Sequence, residues 1–99
     1  MSTEMIEEST ATGRSYLAEV FVSLKAAVND PQGLAIRDGL RSLGYADVEA
    51  VRAGKYLRVT LRAASSDDAH AQVTRMCDQL LTNPVIETYQ ISITVLADH

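Results

Sequence analysis

Four basic residues, Arg52, Lys55, Arg58 and Arg62, fall within eleven consecutive residues that contain no acid. Side chains of this type, gathered on one short segment with Tyr56, form an electrostatic surface suited to a charged partner. The competing reading is a solvated strand face, the usual setting of long cationic side chains. The other reactive residue types lack companions at catalytic spacing. His70 lies early in a helical pattern and His99 ends the chain, with no ligand or nucleophile spacing around either. Cys77 follows Met76 on an apolar stripe, which suits core packing better than a reactive thiol. Asp67 and Asp68 are adjacent in the first turn of a predicted helix, where they favour its positive end rather than flank a substrate. Gly33, Gly39, Gly44 and Gly54 are too scattered to cradle a phosphate. The chain is expected to carry no catalytic, cofactor or metal site.

The elements around these residues follow from hydrophobic period and punctuation. Ala18, Val20, Val22 and Leu24 alternate with Glu19, Ser23 and Lys25, the pattern of a strand with one face on a core. Leu17 and Phe21 interrupt the polar face, so the back of the sheet is partly apolar, and both are candidate homodimer contacts. Asp30 and Pro31 suit the N-cap and first position of a helix. Ile36, Leu40 and Leu43 give that helix a buried stripe, and Gly44 suits its left-handed stop. Residues 48–63 read as a hairpin, with Val51 and Arg52 ending its first strand and the turn at Ala53-Gly54-Lys55. In its second strand Leu57, Val59, Leu61 and Ala63 point one way, and Arg58, Thr60 and Arg62 the other. Ser65 or Ser66 caps a second helix with Ala69, Val73, Met76, Cys77, Leu80 and Leu81 on its apolar side, ended by Asn83-Pro84. Tyr89, Ile91, Ile93 and Val95 alternate in a last strand. The order β-α-β-β-α-β with right-handed crossovers predicts an α+β, ferredoxin-like sandwich: a four-stranded antiparallel sheet with two helices on one face.

Ninety-nine residues hold one domain. Residues 1–15, with three acids, one base and no apolar period, read as a mobile extension, and residues 16–99 as the domain. The extension has no apolar core of a secretory leader, no apolar run is long enough to span a membrane, and one cysteine excludes an internal disulfide; a cytoplasmic protein is expected. A net charge of −4 argues against nucleic acid.

The expected fold hosts acylphosphatases, small-ligand modules and RNA-recognition sheets. The loop Lys25-Ala26-Ala27-Val28-Asn29 has neither the arginine nor the glycines of an acylphosphatase phosphate loop. An RNA-recognition sheet needs exposed aromatics on its central strands, and the third strand offers Arg58, Thr60 and Arg62. More specific are the strings Val22-Ser23-Leu24-Lys25, Asp30-Pro31-Gln32-Gly33, Leu43-Gly44-Tyr45, Val51-Arg52-Ala53-Gly54-Lys55-Tyr56, Met76-Cys77, Leu80-Leu81 and Asn83-Pro84-Val85-Ile86-Glu87. In this order and spacing they resemble the PurS family, the small subunit of the multi-subunit bacterial phosphoribosylformylglycinamidine synthase. The likeness covers roughly residues 16–97; the extension 1–15 departs from it.

That resemblance implies a part in purine synthesis without an active site. The family's large subunit binds ATP, with magnesium, and the formylglycinamide ribonucleotide; a glutaminase subunit releases ammonia from glutamine. The small subunit, a dimer needing no cofactor, bridges the two and assists ammonia transfer. Arg52, Lys55, Tyr56, Arg58 and Arg62 are the candidate partner interface, and Leu17 and Phe21 the candidate dimer interface. A stand-alone small-ligand or RNA-binding module is the alternative.

Overall fold

The computed structural model describes residues 13–96. In chain order they form β1 (Arg14–Leu24), α1 (Pro31–Ser42), β2 (Gly54–Ala63), α2 (Ser66–Met76), a π-helical turn (Cys77–Leu81) and β3 (Glu87–Val95). The fold is α+β: two helices and an antiparallel sheet of order β2-β1-β3, with β1 central. Of the expected extension, residues 1–12 lie outside the described residues, while Arg14 and Ser15 already belong to β1.

Period two in β1 produces the core. Ala18, Val20 and Val22 are buried on one face, where they meet Val73 and Cys77; Tyr16, Ala63 and Ala69 close the neighbouring end. The Ser65 hydroxyl accepts from the Asp68 N–H at 3.0 Å and starts α2, whose first turn carries Asp67 and Asp68. At the other end Thr82 N–H and Oγ1 both donate to the Cys77 carbonyl, five residues back, at 3.0 and 2.9 Å. This wider turn rotates the apolar stripe. Cys77 stays buried, but Leu80, expected in the core, is 82% exposed.

Two further expectations are corrected. The first concerns α1. Its ends form as read: Asp30 Oδ1 accepts from Gly33 N–H at 2.9 Å, Pro31 opens the helix, and Gly44 takes φ +107°. Gly44 N–H donates to the Arg41 carbonyl and Tyr45 N–H to the Leu40 carbonyl, a Schellman ending. Yet α1 does not join α2 on the sheet. It has at most marginal contact with any strand or with α2, and only Gly33 within it is buried. The expected buried stripe is open, with Ile36 42% and Leu43 76% exposed.

The second concerns residues 48–52, expected as the hairpin's first strand. They run as irregular chain, so the sheet has three strands among the described residues rather than four. Side chains from elsewhere hold this segment along α1. Arg41 Nε donates to the Val48 carbonyl at 2.8 Å, and Ala53 N–H donates to Asp30 Oδ2 at 2.7 Å. Helix and returning segment together form an arm.

Two glycines permit the close approaches at its base. A Cβ on Gly33 would collide with the Val51 carbonyl oxygen, and one on Gly54 with the Val22 carbonyl oxygen. Gly33→Ala and Gly54→Ala are each expected to destabilise by about 1–3 kcal/mol through overpacking. Gly39 has nothing within 4 Å of its would-be Cβ. Gly39→Ala should instead stabilise by about 0.5–1 kcal/mol, because alanine is the better helix former. Thermal melts of the three variants separate close approach from propensity.

Candidate functional site

The base of the arm is closed by two side chains. Asp30 is buried, and its carboxylate serves both segments of the arm, the first turn of α1 through Gly33 and the approach to β2 through Ala53. Arg52 answers it from the other direction, donating to the carbonyls of Val28 at 3.1 Å and Lys25 at 3.0 Å. Arg52, expected at a partner-facing tip, therefore ties the segment leaving the arm to the loop entering it. The hydrogen bonds from Gly33 and then Ala53 hold the Asp30 carboxyl below the usual carboxylate range against the opposing effect of burial, and Arg52 adds to them.

The sign of the pH effect follows. A carboxyl depressed in the folded state contributes stability above its unfolded pKa, about 3.9, and that contribution is lost as pH falls through the lower folded value. Asp30→Asn keeps one acceptor but turns an amide donor towards a backbone donor. Its Tm should lie below wild type at neutral pH, with the gap narrowing below about pH 4. A gap that stays constant in thermal melts across that range would show that the charge contributes nothing.

The β1–β2 register distributes the remaining candidates. Tyr56, Arg58 and Arg62 stand opposite Phe21, Glu19 and Ser15 on the face away from α2, whereas Lys55 stands opposite Val22 on the α2 side. Lys55 Nζ lies 3.9 Å from Glu87 Oε1, beside a cleft lined also by Val22, Leu24, Asp30 and Gln32. On the far face Tyr56 Oη donates to Glu19 Oε2 at 2.5 Å, and this bond to a carboxylate raises the phenol pKa. The Phe21 and Tyr56 ring centroids are 5.2 Å apart, and the rings are 45% and 49% exposed. Arg62 Nη2 donates to the Gly13 carbonyl at 2.6 Å. Leu17, half-buried, stands between Thr60 and Thr94. The back face is thus a polar sheet surface with an aromatic pair and Arg58 at its centre.

The larger apolar exposure lies elsewhere, where sequence reasoning did not place it. Leu34 and Ile36 of α1, then Leu43 and Tyr45, are exposed. On the sheet α2 lies chiefly towards β3, leaving Leu57, Val59 and Leu61 of β2 only partly buried. A signal existed: Leu34 lies outside the stripe of Ile36, Leu40 and Leu43, so the helix is apolar on more than one side.

No group of three or more His, Cys, Asp or Glu could hold a metal ion among the described residues. Burial pushes the Cys77 thiol pKa up, the opposite of what a nucleophile requires. His70 sits on the exposed side of α2 beside Thr74, and His99 lies outside the described residues. No helix among them is long and apolar enough to cross a membrane.

Residues 17–95 match the family model PurS, phosphoribosylformylglycinamidine (FGAM) synthase. The chain belongs to the PurS family. It is 48% identical over 82 residues to the phosphoribosylformylglycinamidine synthase subunit PurS of Synechocystis, covering 83% of this chain and 82% of the relative. The crystal structure of Methanocaldococcus jannaschii PurS, a subunit of formylglycinamide ribonucleotide amidotransferase in the purine biosynthetic pathway, superposes with TM-score 0.75 at 32% identity, covering 83% of this chain and 99% of that one. A chain in the structure of PurLQS from Thermotoga maritima gives TM-score 0.75 at 29% identity, covering 81% of this chain and 98% of that one. As a PurS chain, the protein is the small subunit of FGAM synthase, a glutamine-dependent, ATP-using ligase of purine biosynthesis.

Proposed function

We propose that this PurS chain acts as a homodimeric, non-catalytic bridge, joining the glutaminase subunit to the ATP-dependent large subunit in the cytoplasm and assisting ammonia transfer. The observation that carries the reading is the arm. A helix with exposed Leu34 and Ile36, projecting beside a sheet whose β2 half is only partly covered, belongs to a chain that completes its core in an assembly. In the dimer the arm of one copy covers the open half-face of the other. The returning segment carries Asp47 and Glu49, opposite in charge to Lys55, Arg58 and Arg62 on β2. Laid beside β2 of the second copy, residues 48–52 supply the fourth strand of a ferredoxin-like sheet. With the arm as the dimer contact, Leu17 and Phe21, expected as dimer contacts, stay open on the back face beside Tyr56, Arg58 and Arg62 and join them as the surface for the two enzyme subunits; Lys55 stays at the rim of the cleft and Arg52 at the arm's base.

A bridge has a physical reason. Free ammonia is protonated in neutral water and lost to bulk solvent, so its path between two sites must exclude water. A rigid piece supplies that geometry with no cofactor of its own, and ATP and magnesium belong to the large subunit. The isolated chain is expected to turn over neither glutamine nor the ribonucleotide, while adding it to the other two subunits restores glutamine-dependent synthesis. Glutaminase activity that survives rigorous purification of this chain overturns the reading.

A further inference from the structure

The back face of the sheet has no layer over it among the described residues: α2 packs on the other side, and α1 has at most marginal contact with any strand. Leu17, Glu19 and Phe21 run along β1 there, beside Thr60, Arg58 and Tyr56 of β2. The charges on this face are two cations, Arg58 and Arg62, and one acid, Glu19, whose carboxylate already accepts the Tyr56 Oη–H. A net positive face with an exposed aromatic pair fits an acidic segment that carries apolar side chains beside its acids.

Such a segment is present in the same chain. Residues 1–12 hold Glu4, Glu7 and Glu8, no base, and Met5-Ile6 between the acids. They lie ahead of the family match, residues 17–95. They join the fold at Gly13, whose carbonyl Arg62 holds from the back face at 2.6 Å. From that point the lengths agree. A segment that reverses ahead of Gly13 and returns along β1, at the same rise of about 3.3 Å per residue, sets each residue level with the one equally far beyond Gly13. Glu7 then comes level with Glu19 and its cross-strand neighbour Arg58, and Ile6 and Met5 with the Phe21–Tyr56 pair. The small residues Ser9, Thr10, Ala11 and Thr12 fall over Leu17 and Ser15.

We infer that residues 1–12 fold back onto the sheet of their own chain, Met5 and Ile6 on the Phe21–Tyr56 pair and Glu7 and Glu8 at Arg58, and so screen the face offered to the enzyme subunits. The docking stands on charge and length; the screening rests on that face being the one the enzyme subunits use. A short tether acts at an effective concentration of about 1 mM, so a contact with a Kd of only about 0.1 mM is closed in roughly nine chains of ten. A partner that needs the open face then has its apparent Kd raised about tenfold.

Cys77, the single cysteine, is buried, so a nitroxide on full-length T3C attaches outside the core. At low salt it should broaden the NMR signals of Phe21, Ser23, Tyr56 and Gln90. E7K/E8K should remove that broadening, as should about 1 M salt, which screens the ion pairs. These substitutions lie outside the described fold and leave its core untouched. With the two enzyme subunits present, E7K/E8K should reach half-maximal glutamine-dependent synthesis at about one-tenth the wild-type concentration. Absence of broadening, or equal broadening in E7K/E8K, overturns the inference. So does broadening that passes to isotope-labelled chains carrying no nitroxide, which would place the segment on a second copy. Broadening within the chain, with an unchanged half-maximal concentration, keeps the docking and overturns the screening, and the enzyme subunits would then bind away from the back face. If the chain supports no glutamine-dependent synthesis at all, the bridge falls, and the broadening still decides the docking.

Discussion

Replacing Leu34 and Ile36 together by aspartate should halve the mass of the particle in solution and remove glutamine-dependent synthesis. Both side chains are about two-fifths exposed in the single chain, so their free area is available for burial against another copy. At roughly 25 cal/mol per Å², burying that remainder is worth about 1–2 kcal/mol for each side chain, and a twofold contact counts each one twice. A carboxylate buried there without a partner adds a penalty of several kcal/mol more. A combined loss beyond about 5 kcal/mol weakens association by more than about three powers of ten. The monomer should be spared, since α1 scarcely touches its own sheet and surface changes shift stability by about 0.5 kcal/mol or less. Circular dichroism should therefore report an unchanged fold while sedimentation reports the smaller particle. A double variant with wild-type mass would show that the arm is merely a solvated helix.

Why that surface was not foreseen in the stripe of α1 is a matter of what a pattern encodes. Ile36, Leu40 and Leu43 state that the helix has an apolar side; they do not state whose atoms cover it. Where the partner lies in the same chain and the rule is local, the reading holds. Alternation placed Ala18, Val20 and Val22 in the core and Tyr89, Ile91 and Ile93 beside it, and Asp30, Ser65 and Gly44 sit at the helix ends by capping chemistry. Residues 48–52 went the other way for a long-range reason. Val48 and Val51 look like strand residues, but the side chains of Arg41, Asp30 and Arg52 hold this segment to the arm and its base. Nothing in the local period announces such bonds. The π-helical turn hides similarly, since one wider turn moves Leu80 to the surface without altering the spacing of the letters.

The basic run is legible in the same divided way, and its division sets the last prediction. Alternation alone sends Tyr56, Arg58 and Arg62 to one face and Lys55 to the other, so they do not form one surface. Arg52 is a poor probe of partner binding, because Arg52→Ala removes both bonds to the Lys25 and Val28 carbonyls and loosens the base of the arm. Its Tm should fall, and any loss of assembly would follow from that. Tyr56→Ala with Arg58→Ala is the clean test. Both side chains are exposed on the back face, and the lost cross-strand contacts, Tyr56 with Phe21, Arg58 with Glu19 and the Tyr56 Oη–Glu19 hydrogen bond, are worth only about 0.2–1.5 kcal/mol each to the fold. At a protein interface the same residue types are the common hot spots, each costing about 2 kcal/mol or more when truncated. If this face meets an enzyme subunit, the double variant should weaken assembly by about three powers of ten, mostly through faster dissociation. Glutamine-dependent synthesis at limiting small subunit should then collapse, while synthesis from added ammonia by the large subunit alone should continue at the wild-type rate. Wild-type activity in both assays would leave Tyr56 and Arg58 as a solvated sheet surface, and the partner contact would have to lie on the arm or along the cleft beside Lys55.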